Sequence, residues 1–155
     1  MDTLIHRRVQ LCREGRFDQA VCKLSSGWVV MGDVQIFTGY CLLLPDPVVP
    51  DLNGLKGDHR RQFLDEMSIV GDVLLELTDA VRINYEMLGN VEPALHAHIF
   101  PRYQSEPEEL RLKPAWFYDW AAIAKFNLEQ QKPFILKLRE GLQARNLVQD
   151  DQAYQ

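Results

Sequence analysis

The sequence predicts one α+β domain, in which an antiparallel sheet of about five strands carries a long amphipathic helix on one face and a C-terminal helix follows. Short apolar runs are separated by Gly, Pro, Asn and Ser, which is typical of strands joined by tight turns. One long segment instead repeats apolar residues at helical spacing. A chain of 155 residues, 46% of them hydrophobic, is long enough to bury a core of its own.

The first elements are a short helix, a hairpin and a single strand. The helix is predicted over residues 3–14, and its apolar residues recur at helical spacing: Ile5, Val9 and Cys12. The segment AVCKLSSGWVVMGD predicts two strands joined by a turn at Ser25–Gly27. The strand Tyr40–Leu44 is a continuous apolar run closed by Pro45, which favours a central place in the sheet.

The long helix is predicted over residues 59–80, with Asp58 as its cap. Its buried stripe is predicted from five apolar residues: Phe63, Met67, Val70, Leu74 and Leu77. RINYEMLGN predicts the next strand, which ends in a turn at Gly89–Asn90, and PALHAHIFPRY predicts the last one.

Residues 104–155 differ in composition from residues 1–103. An acidic loop is followed by the aromatic AWFYDW and by a second amphipathic helix, with Pro133 in its first turn or at a kink. The predicted stripe of this helix is Phe134, Leu138 and Leu142. The aromatic cluster can stack on a base or cover a site, but packing onto the sheet or a partner subunit is the favoured interpretation.

Charge and cysteine usage exclude several classes of protein. A net charge of -5 argues against a nucleic-acid-binding protein that relies on phosphate contacts. No apolar run approaches the ~20 residues of a membrane span. Three cysteines without CxxC spacing, together with an N-terminus that lacks a long apolar stretch, predict a cytoplasmic protein with reduced thiols.

The segment EPALHAHIFPRY places two of the four histidines, His96 and His98, two residues apart. Because side chains alternate along a strand, both point to the same face, roughly 6–7 Å apart at Cα. Three interpretations remain open. The pair can be structural, can bind a metal with a third ligand such as His59, or can act in covalent catalysis. In the last case one histidine attacks an electrophile, and a backbone carbonyl orients its second nitrogen.

ALHAHIFPR resembles the end of the last strand in the histidine triad (HIT) family of nucleotide hydrolases and transferases. That family has the pattern His-φ-His-φ-His-φ-φ, where φ is apolar, often followed by Pro-Arg. His96 and His98 match the second and third histidines, and Ala94 stands at the first position. LGNVEPALHAH is similar to a subgroup with a shortened Gly-Asn-x-x-Pro turn, which tolerates a non-histidine first position.

The resemblance covers about residues 18–103, because WVVMGDVQIFTGYCLLLP and DLNGLKGDHRRQFLDEM are similar to the preceding strands and helix of the family. It implies a HIT-like domain over residues 1–103, with the motif at 94–102. Residues 104–155 form an extension that is expected to pack on the same domain. The resemblance also implies a homodimer formed through the long helix and an edge strand, for which residues 59–80 and Trp28–Met31 are the candidates.

The resemblance implies that His96 attacks the α-phosphorus of a purine nucleotide, and that water then hydrolyses the nucleotidyl-histidine. His98 is expected to contact the phosphate and to support charge and proton movement. The implied substrates are dinucleoside polyphosphates or nucleoside phosphoramidates, from which a nucleoside monophosphate is released. The nucleophilic step requires no metal and no cofactor, although Mg²⁺ can accompany a polyphosphate substrate.

Four further residues are candidate substrate contacts. Asn90 is expected to donate to a phosphate oxygen, since it is predicted to end the neighbouring strand. Tyr40 stands where many family members have a histidine near the nucleotide sugar. Asp33 can bind the ribose hydroxyls, or can be an ordinary solvated turn residue. Arg102 can reach a phosphate, but an Arg on the surface at the end of a strand is the favoured interpretation.

Two other functions remain as alternatives. Loss of the first histidine at Ala94 fits a nucleotide-binding protein of the same fold that does not turn its ligand over. A metalloprotein that uses His96 and His98 as ligands is the second alternative.

Overall fold

The five-stranded antiparallel sheet has the order β1-β2-β3-β5-β4, and the α+β class predicted from the sequence is confirmed. The structure is a computed structural model that describes residues 2–149. Its strands are β1 Ala20–Lys23, β2 Gly27–Met31, β3 Cys41–Pro45, β4 Arg82–Glu86 and β5 Ala97–Arg102. Its helices are α1 Leu4–Arg13, α2 Gly57–Leu77, α3 Glu108–Arg111 and α4 Leu128–Ala144. All the helices in the described range are too short or too polar to cross a membrane.

The centre of the sheet is β3, as its unbroken apolar run predicts. β1 and β2 form the predicted hairpin, closed by hydrogen bonds between the backbones of Leu24 and Gly27. The expectation that Trp28–Met31 supplies an edge strand is wrong, because β2 pairs with β1 on one side and β3 on the other. The edges of the sheet are β1 and β4.

One face of the sheet is covered by α2 and α4. The buried residues of α2 include most of the predicted stripe: Phe63, Met67, Val70 and Leu74. Burying each such side chain stabilises the fold by about 1.5–3 kcal/mol. The predicted cap is wrong, because Lys56 occupies the N-cap position and Asp58 lies in the first turn. A carboxylate there still interacts favourably with the helix dipole.

The helix α4 begins at an N-cap formed by Asn127, whose side chain accepts a hydrogen bond from the Gln130 N–H. Its buried residues are Ile135, Leu138 and Leu142. The predicted stripe is confirmed at Leu138 and Leu142, whereas Ile135 takes the place of Phe134, which is only partly buried against the core. Pro133 lies beyond the first turn, inside the helix, where it removes one intrahelical hydrogen bond.

The opposite face of the sheet carries His98 and is covered by α1 and by the aromatic segment after α3. Its apolar core includes Val9, Trp28, Tyr40, Phe100 and Ala115. A capping box between Thr3 and His6 begins α1, so His6 has a structural role. The aromatic segment thus packs on the sheet, as favoured from the sequence.

A buried ion pair joins the segment after β5 to the strand itself. The Arg102 guanidinium contacts the Glu106 carboxylate at 2.8 Å, and both side chains are less than a tenth exposed. The same guanidinium donates to Asn84 Oδ1 and to the carbonyl oxygens of Lys113 and Leu110. Burial opposes ionisation of Glu106, but hydrogen bonds from Arg102 and Tyr118 outweigh it and lower the pKa of the carboxyl.

We expect Glu106→Gln to lower the free energy of unfolding by about 3 kcal/mol, because it leaves the buried Arg102 charge uncompensated. Urea unfolding at neutral pH measures this loss. Because the pKa of Glu106 is lowered by folding, its contribution is present above the unfolded pKa and disappears as pH falls through the folded pKa. The difference between wild type and variant should therefore shrink in acid.

The matched control is Glu109→Gln, which makes the same change at an exposed position of α3. It should leave the free energy of unfolding within about 0.5 kcal/mol of wild type. Equal losses in the two variants would show that the Arg102–Glu106 pair contributes nothing specific.

Candidate active site

His96 lies immediately before β5, and its Nδ1 atom is 2.6 Å from the carbonyl oxygen of Ala94. A carbonyl oxygen can only accept, so Nδ1 carries the proton and Nε2 presents a lone pair. The backbone around this carbonyl is held by hydrogen bonds from the Ala94 N–H to Glu92 and from the Leu95 N–H to Val49. The orientation of His96 thus depends on the backbone at position 94, not on the side chain there.

His98 is buried in β5, and its Nδ1 atom is 2.7 Å from the hydroxyl of Tyr40. Tyr40 is itself buried, and His98 is the only hydrogen-bond partner of its hydroxyl within residues 2–149. A buried hydroxyl donates where it can, so we assign the Tyr40 proton to this bond and the imidazole proton of His98 to Nε2.

The electrostatic surroundings keep His98 neutral. Burial, with a smaller contribution from the nearby His96, lowers the pKa of His98 to about 3. Its ring stacks parallel to Phe100 at 5.4 Å and lies 4.9 Å from the ring of His96. One imidazole therefore offers a lone pair and its neighbour offers an N–H, from adjacent positions on the same face of the sheet.

Trp116, from the segment after α3, covers one side of His98. The two rings are 5.0 Å apart in an edge-to-face arrangement, and Trp116 stacks on Trp120 at 4.9 Å. The indole N–H of Trp116 donates to the carboxylate of Glu86, which pairs with His98 in the β4–β5 register. The aromatic cluster signalled Trp116 in the sequence, whereas Glu86 becomes apparent only from the register of the strands.

A pocket of about 240 Å³ opens beside the two imidazoles. Its lining brings together His96, His98 and Asn90, three of the six predicted site residues, with Trp116 as a fourth member. Asn90 does not end a strand as predicted, because β4 stops at Glu86 and Asn90 lies in the following loop. The exposed apolar side chains of Leu88 and Val91 lie in the same loop.

The other three predicted residues have protein partners. Tyr40 is held beneath the pocket by its hydrogen bond to His98. The Asp33 carboxylate accepts from Arg8 at 2.5 Å and from Gln19 at 2.8 Å. Arg102 is buried with Glu106, so the interpretation of a surface Arg is wrong.

The third metal ligand considered from the sequence, His59, lies in α2 and lines a different cavity. Within residues 2–149, no group of three or more His, Cys, Asp or Glu side chains is arranged to hold a metal ion.

Comparison with known proteins gives a match in structure alone. No protein-family model matches the chain, and no curated protein is significantly similar to it in sequence. A histidine triad protein from Marinobacter aquaeolei VT8 is similar, with a TM-score of 0.72 and 21% identity over 92% of this chain and 97% of that one.

Two further solved structures have the same fold. A histidine triad protein from Bradyrhizobium japonicum has a TM-score of 0.69 and 24% identity, and the match covers 80% of this chain and 91% of that one. A hypothetical histidine triad nucleotide-binding protein from Sulfolobus tokodaii has a TM-score of 0.63 and 14% identity, with 81% and 84% covered. At these identities the likeness establishes the fold.

We expect the His98 resonances to show no titration between about pH 5 and pH 8, where an ordinary histidine changes charge. The cause is the burial that lowers the pKa of this imidazole to about 3. Two-dimensional ¹H–¹⁵N NMR reads both the charge and the tautomer, and the proton should be found on Nε2. The protein unfolded in urea is the control, since there His98 should titrate near the ordinary value of 6.5.

Tyr40→Phe removes the hydroxyl that we assign as the donor to His98, and the rest of the ring remains. The expected result is mixed tautomers of His98 and a loss of about 1 kcal/mol in the free energy of unfolding. An unchanged Nε2–H tautomer in this variant would contradict the assignment of the hydrogen bond.

Proposed function

We propose that this protein is a nucleotide hydrolase or transferase that acts through a nucleotidyl-His96 intermediate. Its substrates carry a nucleoside monophosphate joined by a phosphoanhydride or phosphoramidate bond, as in dinucleoside polyphosphates and nucleoside phosphoramidates. The observation that carries the proposal is the hydrogen bond from His96 Nδ1 to the Ala94 carbonyl, which leaves Nε2 as a nucleophile beside the pocket.

In the first step the Nε2 lone pair of His96 forms a bond to the α-phosphorus. The bond from phosphorus to the leaving group breaks, and the leaving group takes the electron pair. An amine leaving group also takes one proton from solvent and departs as ammonia. The ring of His96 becomes positively charged in the adduct, and the Ala94 carbonyl stabilises this charge through the Nδ1–H bond. In this proposal His98 Nε2–H and the Asn90 amide, which both line the pocket, donate to the phosphoryl oxygens as charge develops there.

In the second step water attacks the same phosphorus, and the P–N bond breaks. The electron pair returns to Nε2 of His96, a nucleoside monophosphate leaves, and one proton of the water passes to solvent. The neutral state of His98 suits both steps, because an N–H that does not ionise donates to the phosphoryl group without giving up its proton.

The pocket is shaped for part of such a substrate. Its volume of about 240 Å³ lies below the ~300–1,000 Å³ usual for pockets that enclose a whole small molecule. We assign the α-phosphate to the pocket and the nucleoside to its apolar rim, formed by Leu88, Val91 and Trp116. The similar protein from Sulfolobus tokodaii is described as nucleotide-binding, which is consistent with this class of ligand.

Ala94 is the observation that favours a second function, a protein that binds nucleotides without turning them over. A histidine there would add an imidazole to the network that orients the other two. The backbone carbonyl of residue 94 nevertheless makes the bond to His96, and Tyr40 makes the bond to His98. Both imidazoles are therefore oriented without that side chain, which supports the enzyme over the binding protein.

Intact-protein mass spectrometry tests the proposal. The protein is mixed with diadenosine tetraphosphate or with adenosine 5′-phosphoramidate, quenched in mild base, and the released AMP is assayed. We expect an adduct of nucleotide mass on wild type. In His96→Ala the adduct should be absent and AMP release should fall by at least about 10³-fold, because the nucleophile is lost.

His59→Ala is the matched control, since it removes an exposed histidine of α2 away from the pocket. It should form the adduct and release AMP as wild type does. Nucleotide binding without adduct or AMP in wild type would reject the enzyme and favour the binding protein. AMP release that survives in His96→Ala would reject His96 as the nucleophile.

A further inference from the structure

We infer that a groove lined by unpaired cations, next to the pocket of the histidines, binds the phosphate-bearing leaving group of the substrate. This inference rests on the proposed function and adds to it a preference for polyanionic leaving groups. The groove has a volume of about 430 Å³ and lies between β4, the end of β5 and the segment after α3. Three cationic side chains that line it carry the inference: Arg82, Arg111 and Lys113.

These three cations have no carboxylate partner within the part of the chain that the structure describes. The guanidinium of Arg82 has no hydrogen-bond or ion-pair partner there. Among the described residues, the guanidinium of Arg111 donates only to the carbonyl oxygen of Gln104, and the ammonium of Lys113 contacts only the ring of Phe117.

Most arginines elsewhere in the described residues contact a carboxylate, among them Arg8 with Asp33 and Arg145 with Glu76. Arg60 is an exception and, within the described range, donates only to backbone carbonyl oxygens. The chain as a whole has a net charge of -5, but three cations without a carboxylate partner make the local charge of this concave surface positive. Such a surface attracts an anion and can hold it through several charge-assisted hydrogen bonds.

The groove adjoins the pocket beside the two imidazoles at Glu86 and Trp116. Glu86 lines the groove, and its carboxylate accepts from the indole N–H of Trp116, which lines the pocket. Glu86 also lies opposite His98 in the β4–β5 register. A substrate whose α-phosphate contacts His98 therefore has the groove next to it, in reach of the group that departs.

Among residues 2–149, Glu86 is the one acidic residue whose side chain lines the groove. Its charge stands at the junction, where it opposes an anion that crosses from the pocket. The three cations lie beyond that junction, so they favour a leaving group long enough to pass it. A polyphosphate has that length, and the ammonia released from a phosphoramidate does not.

The test compares two substrates that share the adenylyl group but differ in what departs. Diadenosine tetraphosphate releases a nucleoside triphosphate, and adenosine 5′-phosphoramidate releases ammonia. We expect the double variant Arg82→Gln/Lys113→Gln to lower kcat/KM for diadenosine tetraphosphate by about tenfold. This is the effect expected from losing roughly one charge-assisted hydrogen bond that is partly screened by solvent. For adenosine 5′-phosphoramidate, kcat/KM of the variant should stay within about twofold of the wild-type value, because its ammonia leaving group makes no contact in the groove.

Lys132→Gln/Lys137→Gln is the matched control, since it removes the same charge from exposed positions of α4. It should leave kcat/KM for diadenosine tetraphosphate near that of wild type. Glu86→Gln should raise kcat/KM for diadenosine tetraphosphate, because the amide oxygen still accepts from Trp116 while the negative charge that repels the leaving group is gone. Equal losses for both substrates in the groove variant, or equal losses in the groove and control variants, would overturn the inference.

A binding measurement separates this inference from the proposed function. Titration calorimetry with inorganic tripolyphosphate needs no turnover, so it reports on the groove even if neither substrate is cleaved. We expect wild type to bind it and Arg82→Gln/Lys113→Gln to bind it about tenfold more weakly. No binding by wild type, or the same affinity in the groove variant, would overturn the groove whatever the enzyme assay gives.

Discussion

The pairing of β3 with β5 is the constraint on which the rest of the structure depends. These strands are far apart in the sequence but adjacent in the sheet, and their register sets Leu42 against His98 and Leu43 against Ala97. Because side chains alternate, the same pairing directs Leu43 and Ala97 into the core under α2 and α4. It also directs His98 to the other face of the sheet. There the hydroxyl of Tyr40, the residue just before β3, forms a hydrogen bond with the imidazole. One register thus builds a core and orients a candidate catalytic group.

The two histidines of the pair differ because their surroundings differ. His98 lies within the strand, between the rings of Phe100 and Trp116, and burial keeps it neutral. His96 precedes the strand, where the backbone is free to turn a carbonyl towards Nδ1. Residue spacing alone places two imidazoles side by side. β5 begins between them, so their hydrogen-bond partners differ. As a result His96 presents a lone pair at Nε2, and His98 presents an N–H at Nε2.

Periodicity in the sequence was enough to predict the strands, the stripe of α2 and the face shared by His96 and His98. These features follow from side-chain direction, which repeats along the chain. The details that failed depend on tertiary contacts. Arg102 looks like a surface residue at the end of a strand, but it is buried by the carboxylate of Glu106 and by carbonyl oxygens of the segment that follows.

The prediction of where α2 begins failed for a related reason. Asp58 is a good cap by type, yet α2 begins two residues earlier than predicted, with Lys56 at the N-cap and Gly57 as its first residue, so the carboxylate lies inside the first turn. The role of Trp116 was equally hidden, because nothing in an aromatic run tells which ring reaches a neighbouring imidazole. Within the candidate site, the sequence identified His96, His98 and Asn90, and the fold added Trp116 and Glu86.

The Arg102–Glu106 pair has a consequence for how small this protein can be made. A chain cut after Tyr103 would keep every residue of the motif that the sequence singles out, but it would expose Phe100. The Arg102 guanidinium would lose Glu106 and the carbonyl oxygens of the segment after β5, and would keep only Asn84 Oδ1 among its described acceptors. The sheet face that holds His98 would then meet water directly. The smallest unit that keeps this sheet face covered therefore extends past the motif to at least Trp120, and the segment after β5 forms one side of the candidate site.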